Sequence, residues 1–428
     1  MFLQIHMLQS LPPGNLNRDD TRQPKKCIFG GVTRGRISSQ CLKRNIRRSP
    51  QFEDAFGDDL AVRTLYLPRM IADALRQGNL GVPDDEFDEL MAAIAAKFKK
   101  EKRSSEAEDA KEGGEEQEAT QREPSTANGV DKTGQLVFFP PPYARRIAEL
   151  VADLRNRNLP AYNRFIGRKL TPKPTKDVES TLKTEIDRFL QKANDASKLL
   201  TVDIGLFGRM TTSDLVVNVE AACQVAHAIG THETIIECDW FTAMDEKKME
   251  FAPTQTEQAG AGFIGSGVTF FNSAVYYKYL NLDTDALKKH LPSLSCEHVA
   301  RVAGVLLDAA ALANPTGKQN AFASHGVHEL ILVEVSKTKR PISYANAFLQ
   351  PVEGGLARNL MTESAIALKK YIDSVACAFA PADLRRAYLA VGPASVEING
   401  AERKNTLDEL VAYVVGLVAS LQKAGVSP

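Results

Sequence analysis

The sequence predicts an α+β protein: a sheet domain assembled from both ends of the chain, with a helical region inserted between its parts. Three observations lead there. Apolar Leu3, Ile5 and Met7 alternate with polar Gln4 and His6, the period of a strand, and similar alternation returns beyond residue 233. The intervening stretch 55–198 is helical in pattern and polar. The 428 residues, 43% apolar and 25% charged, have the composition of a folded globular chain with room for two or three domains, each burying its own core.

Taken in order, the first strand runs into a Pro/Gly/Asn loop, LPPGNLNRDD, and then into GGVTRGRISSQCLKRNIRRSP. Ser38 and Ser39 are N-cap residues and Pro50 is a stop, so 39–48 is read as a helix. The helical region is broken by the Pro-rich turns FFPPPY and LTPKPT. It is also broken by residues 101–124, which hold nine acids and four bases and nothing apolar larger than Ala. Such a stretch buries too little surface to offset the entropy of ordering, so about 101–134 is read as a disordered, solvated insertion. AACQVAHAIG (221–230) is read as a further helix. ETIIECDWFTAMDE and GVTFFNSAVYYKYLNL alternate like strands around a polar, Gly-rich 245–262, which predicts a long hairpin with a mobile tip. Helices at CEHVARVAGVLLDAAALAN, 356–377 and LDELVAYVVGLVASL, with strands at ELILVEVS and AYLAVG, complete the chain.

Several classes are excluded. With 53 basic and 53 acidic residues the chain is not a uniformly basic binder, so any polyanion site comes from local charge. The six cysteines are scattered without CxxC, which argues against a zinc ribbon or a disulfide framework. The apolar run at 410–421 is too short to span a bilayer, and the start lacks a charged n-region and an apolar h-region; a cytoplasmic protein with reduced thiols is expected.

The local charge is at the start. Residues 1–50 carry ten basic side chains against Asp19 and Asp20 alone. On the 39–48 helix Gln40, Lys43, Arg44 and Arg47 fall within about 100° of arc, with Leu42 and Ile46 opposite. The amides and hydroxyls of Ser38 and Ser39 lie at its N-terminus, a position suited to phosphate. Arg34 and Arg36, two apart on the preceding strand, are expected on one exposed face. The plainer reading is that Arg47 and Arg48 merely complement the helix C-terminus. In NLNRDD, Arg18 is expected to be anchored by a salt bridge to its neighbouring carboxylates, with a magnesium site at Asp19 and Asp20 as the alternative. GAGFIG (260–265) follows polar residues and precedes a strand, so it is not a dinucleotide fingerprint. NPTGKQN fails as an ATP phosphate loop, leaving Lys318 for a nucleic-acid phosphate. His227, His232, His325 and His328 lack ligand or nucleophile settings and are read as structural. Trp240 alternates with Phe241, so either one ring is exposed for a base or both hold the hairpin down.

FLQIHMLQSLPPGNLNRDD with IFGGVTRGRISSQCLKRNIRRS, then VDIGLFGRM, NVEAACQVAHAIGTHE, DWFTAMDE, GAGFIGSGVTFFNSAVYYKY and PISYANAFLQPV, resemble in order the CasC family, the backbone subunit of the type I-E CRISPR Cascade complex. The helical region is not distinctive, and its acidic insertion departs from the family in length. The resemblance implies an RRM-like (ferredoxin-like) palm (1–54, 199–232 and 271–428), helical fingers (55–198) and a thumb hairpin (233–270). It implies a non-catalytic subunit that oligomerises along CRISPR RNA and displays guide bases to target DNA, beside the large, small, guide-end and RNA-processing subunits. No cofactor, metal or membrane is implied. Arg18 and Lys25 are expected on the guide backbone, together with Lys318. Ser38, Gln40, Lys43 and Arg47 are expected on its phosphates, with Ser39, Arg34, Arg36 and Arg44 in the same cluster. Trp240, Phe241 and Thr242 are expected at the thumb contact, Arg209 and Met210 along the base path. Lys97, Lys99, Lys100 and Lys102 are candidates for target DNA. The competing function is a metal-dependent endoribonuclease using Asp19, Asp20 and a histidine; a metabolic-enzyme reading rests only on GAGFIG.

Overall fold

The computed structural model describes residues 1–98, 132–240, 247, 268–355 and 358–424. The body of the acidic insertion, GAGFIG and the hairpin tip lie outside them. The chain divides into two compact units, Met1–Phe52 with Gln224–Thr284 and Ser295–Pro428, and Glu53–Cys223 with Asp285–Leu294. Residues 199–223, assigned from the sequence to the sheet domain, cluster with the helical unit instead.

The first unit is built on a mixed sheet. Its strands are β1 (Phe2–Gly14), β2 (Lys26–Phe29), β3 (Val32–Ile37), β7 (Ala228–Gly230), β8 (Glu237–Trp240), β9 (Val268–Asp283), β10 (His328–Ser336), β11 (Arg385–Ala390) and β12 (Glu402–Lys404). They run in the order β12-β11-β10-β1-β9-β7-β3-β2, with β8 paired to the start of β9. The pairs are antiparallel except β11 with β12. Its helices are α1 (Ser39–Arg47), α10 (Cys296–Leu312), α11 (Gln319–Phe322), α12 (Leu360–Phe379) and α13 (Leu407–Ala424).

β1 is central, and both of its faces are covered. Leu8 joins Val275, Leu332, Tyr344, Met361 and Leu368 in the core under α12. Leu3, Ile5 and Met7 alternate with it and project from the other face, where α10 and α13 pack together against the sheet. A Cβ on Gly304 of α10 would come within 2.5 Å of Val415, so glycine permits that close helix pair. The polar residues Gln4 and His6 of β1 are therefore buried too, and each bonds to a tyrosine of the neighbouring strand. The Tyr279 hydroxyl donates to Gln4 Oε1 at 2.7 Å, and His6 Nδ1 lies 2.9 Å from the Tyr277 hydroxyl. Glu334 accepts from Arg386 Nε at 2.7 Å and from the Tyr344 hydroxyl at 2.8 Å.

The stretch 221–230 is not the helix its alanines suggest. It forms β6 (Cys223–Val225) and β7, with Cys223 and Val225 buried around an exposed Gln224. Intrinsic helix preference is worth only tenths of a kcal/mol per residue, and the ladder that seats β7 between β3 and β9 overrides it. Pro50 ends α1 but also opens α2 (Pro50–Phe56), where the Phe52 amide donates to Ser49 Oγ at 3.3 Å.

The second unit holds α3 (Leu67–Gln77), α4 (Phe87–Ala95), α5 (Pro142–Arg157), α6 (Leu159–Phe165), α7 (Lys176–Ala196), α8 (Val202–Phe207) and the short antiparallel pair β4 (Val62–Thr64) and β5 (Val137–Phe139). Ile71, Leu90, Phe98, Ile147, Val151 and Phe189 are among its core residues. Glu86 is buried, yet hydrogen bonds from Arg155 hold its carboxyl below the usual range against the effect of burial. α9 (Thr284–His290) follows β9.

Candidate nucleic-acid interface

Helix α1 forms as its sequence dictates. Ser38 is the N-cap, with its Oγ accepting from the Cys41 amide at 3.3 Å, and Leu42 and Ile46 are buried. Gln40 and Arg44 are exposed, while Lys43 and Arg47 are half-buried. The first amides, expected to await phosphate, are taken by the protein. The Ser38 amide donates to Asn17 Oδ1 at 2.8 Å and the Ser39 amide to His227 Nδ1 at 3.1 Å. What α1 offers a polyanion is therefore its cationic stripe rather than the amides of its two serines.

The loop at 15–18 ties that stripe to the rest of the surface. Besides capping Ser38, Asn17 accepts the Lys25 amide on its carbonyl at 2.9 Å. Asn15 Nδ2 donates to the carbonyls of Arg22 at 3.1 Å and of Phe270, in the base of the hairpin, at 2.7 Å. Gly317 packs so closely on this loop that a Cβ would lie 2.5 Å from the Leu16 carbonyl oxygen. The next residue, Lys318, is exposed with φ +57°. Phe322 of α11 meets Phe271 of β9 at 5.5 Å between ring centres. Arg18, the start of α1, Lys318 and the hairpin base thus share one junction. On that hairpin Trp240 pairs with Val268 and is 62% exposed.

The cations at this junction are available. Among the described residues no carboxylate lies in ion-pair range of Arg18, Lys43, Arg44 or Lys318. The salt bridge expected at Arg18 does not form. Asp19 instead accepts from the Thr21 amide at 3.0 Å, the Thr21 hydroxyl at 2.8 Å and the Gln23 amide at 2.9 Å, closing its own turn. In the helical unit Arg76, Arg146, Arg155, Arg157, Arg164 and Arg168 all meet carboxylates.

Other expected residues are not on this surface. Arg34 is fully buried. Its guanidinium donates to the carbonyls of Phe29 at 3.1 Å, Gly230 at 3.1 Å and Phe348 at 2.9 Å, and burial lowers its pKa. Strand alternation gives the face, but the sequence could not show that this face is covered. Arg36 is half-buried beside His227, and Lys25 is buried. Arg209 is likewise internal to the second unit: it donates to the carbonyls of Val217, Phe138 and Ser197, and burial brings it down to about 10. Its neighbour Met210 is 90% exposed. Lys97 lies in a short 3₁₀ turn. Phe241, Thr242, Lys99, Lys100 and Lys102 lie outside the described residues.

Sequence reasoning missed Asn15 and Asn17, while His227, read as structural, holds the Ser39 amide. Two asparagines in one loop were the available signal for the first pair. His232 and His328 have structural bonds: the His232 ring bonds the Glu233 carbonyl at 2.6 Å, and His328 Nε2 lies 3.0 Å from Lys278, whose ammonium burial pushes down to about 7. Among the described residues no group of three or more His, Cys, Asp or Glu side chains is placed to hold a metal, and no helix is long and apolar enough to cross a membrane.

A family model described as CT1975-like protein (Cas_CT1975) matches residues 3–413. Among solved structures, a chain described as "CRISPR RNA-guided surveillance complex, pre-nicking" is 27% identical with a TM-score of 0.71, the match covering 98% of this chain and 100% of that one. Another, "CRISPR RNA-guided surveillance complex", is 21% identical with a TM-score of 0.62 over 96% and 100%, a likeness of fold. No curated protein sequence matches.

Proposed function

Since this chain belongs to the CT1975-like protein family, we propose that it is a subunit of a CRISPR RNA-guided surveillance complex, and that within it the chain is a non-catalytic, oligomerising backbone that grips the guide RNA. The observation that carries the reading is the junction at 15–18, where Arg18, Lys43, Arg44 and Lys318 have no carboxylate partner among the described residues, on the unit that also carries an exposed Trp240. Cations free of carboxylates among the described residues suit a phosphate backbone. An aromatic ring on a hairpin suits stacking on, or displacement of, a base. A grip on backbone alone is what a guide carrier needs, because guide sequences differ and pairing supplies the specificity. In this reading the sheet unit is an RRM-like palm, the helical unit the fingers and β8–β9 the thumb, as in type I-E CasC. Target DNA, further copies and the remaining Cascade subunits are the partners. The endoribonuclease alternative has less support, since the Asp19 carboxylate is occupied by its own turn.

The test is a denaturing gel of nucleic acid co-purified with tagged protein from its native host. A discrete RNase-sensitive band accompanied by other subunits is expected. Specific Mg²⁺-dependent cleavage of labelled RNA, lost in Asp20→Asn, would overturn the non-catalytic reading.

A further inference from the structure

His227 lies in the two-residue link between β6 and β7. The ladder pairs Ile37 with Ala228 and Arg36 with Ile229, antiparallel. His227 is therefore delivered by strand pairing to the point where β3 ends and α1 begins. Its Nδ1 accepts the Ser39 amide at 3.1 Å, and Arg36 Nη1 approaches the same nitrogen at 3.4 Å. Both groups are donors, so Nδ1 must carry a lone pair and the ring proton sits on Nε2. Asn17 Oδ1 plays the matching part at the Ser38 amide, from the 15–18 loop. The first turn of α1 is thus held by two acceptors from two separate segments.

We propose that His227 is a positioning residue for the basic helix, fixing the first turn of α1, and through it Lys43 and Arg44, at the angle at which they meet an RNA backbone. This rests on the reading of α1 as RNA-binding. The ring acts through the helix and does not touch the RNA. Losing the Nδ1 acceptor leaves the Ser39 amide without its partner and frees the first turn. Arg36 from β3 and the positive end of α1 both face the Nδ1 side of the ring.

The experiment uses the full chain and a fluorescein-labelled, 30-nucleotide uridine-rich RNA, with affinity read by anisotropy. His227→Ala is expected to weaken binding roughly fivefold, the loss of about one hydrogen bond. His227→Asn, whose amide oxygen can replace Nδ1, is expected to restore most of it. In a Lys43→Ala/Arg44→Ala background, His227→Ala should cost nothing further.

Equal losses in the Ala and Asn variants, or a loss that persists in that background, would overturn the positioning role. If Lys43→Ala/Arg44→Ala alone leaves binding unchanged, the RNA-binding reading of α1 falls, and the role of His227 with it. Should His227→Ala fail to fold, His227→Leu, which keeps bulk and removes the acceptor, takes its place: affinity equal to that of His227→Asn refutes the role, and weaker affinity supports it.

Discussion

Replacing both Lys43 and Arg44 by alanine tests the cationic stripe most directly. Arg44 is exposed and Lys43 half-buried, and neither has an ion-pair partner among the described residues. Alanine also raises helix propensity, which offsets the loss of Arg44 from the last turn. The fold should therefore change by no more than about 0.5 kcal/mol. Binding should change in a characteristic way. Each cation that neutralises a phosphate of a single strand contributes about 0.7 to the slope of log affinity against log salt. Losing two lowers that slope by about 1.4, so wild type loses about sevenfold more affinity than the variant between 50 and 200 mM salt. Titrations of several unrelated RNA sequences across that range measure it, with thermal melting as the folding control. An unchanged slope would refute the stripe as a phosphate contact, and losses that differ between sequences would point to base readout instead.

Two further outcomes follow from buried groups. Arg34→Met keeps most of the volume but leaves the carbonyls of Phe29, Gly230 and Phe348 without their donor, at a cost of roughly 3 kcal/mol or more in urea denaturation; normal stability with lost RNA binding would return Arg34 to the surface. The Glu334 carboxyl, which burial alone would raise, is held down at about 2 by His6, Arg386 and Tyr344 against an ordinary 4.5. A carboxylate depressed in the folded state stabilises it above the unfolded value and loses that contribution as pH falls. Melting temperature should therefore drop between about pH 5 and pH 2, by up to roughly 3 kcal/mol of stability, and Glu334→Gln should flatten the drop.

Local chemistry was legible wherever the residues concerned answer to their own neighbours. Ser38 capping α1, Leu42 and Ile46 on one side of that helix, the pairing of β8 with β9, and the apolar runs of α10, α12 and α13 follow from spacing and composition, because helix and strand periods are properties of the local backbone. The clustering of positive charge in the first fifty residues was equally plain. Tertiary structure decided which of those charges face outward. Arg34 and Arg44 look alike in the sequence, yet one is consumed by three backbone carbonyls brought from residues 29, 230 and 348 while the other stands in solvent. Strand alternation assigns a face but not what covers it, so it could not show that Gln4 and His6 of β1 are buried. The same holds for 221–230, where pairing with strands from distant parts of the chain outweighed the alanines. The resemblance grouped Arg18, Lys318 and α1, but not the bonds at 15–18 that hold them together. Nothing local to Asn15, Asn17 or His227 says that they reach Phe270, Ser38 and Ser39. Hydrogen bonds between segments dozens to hundreds of residues apart depend on the closed fold, and it is these that turn a scattered set of cations into one surface.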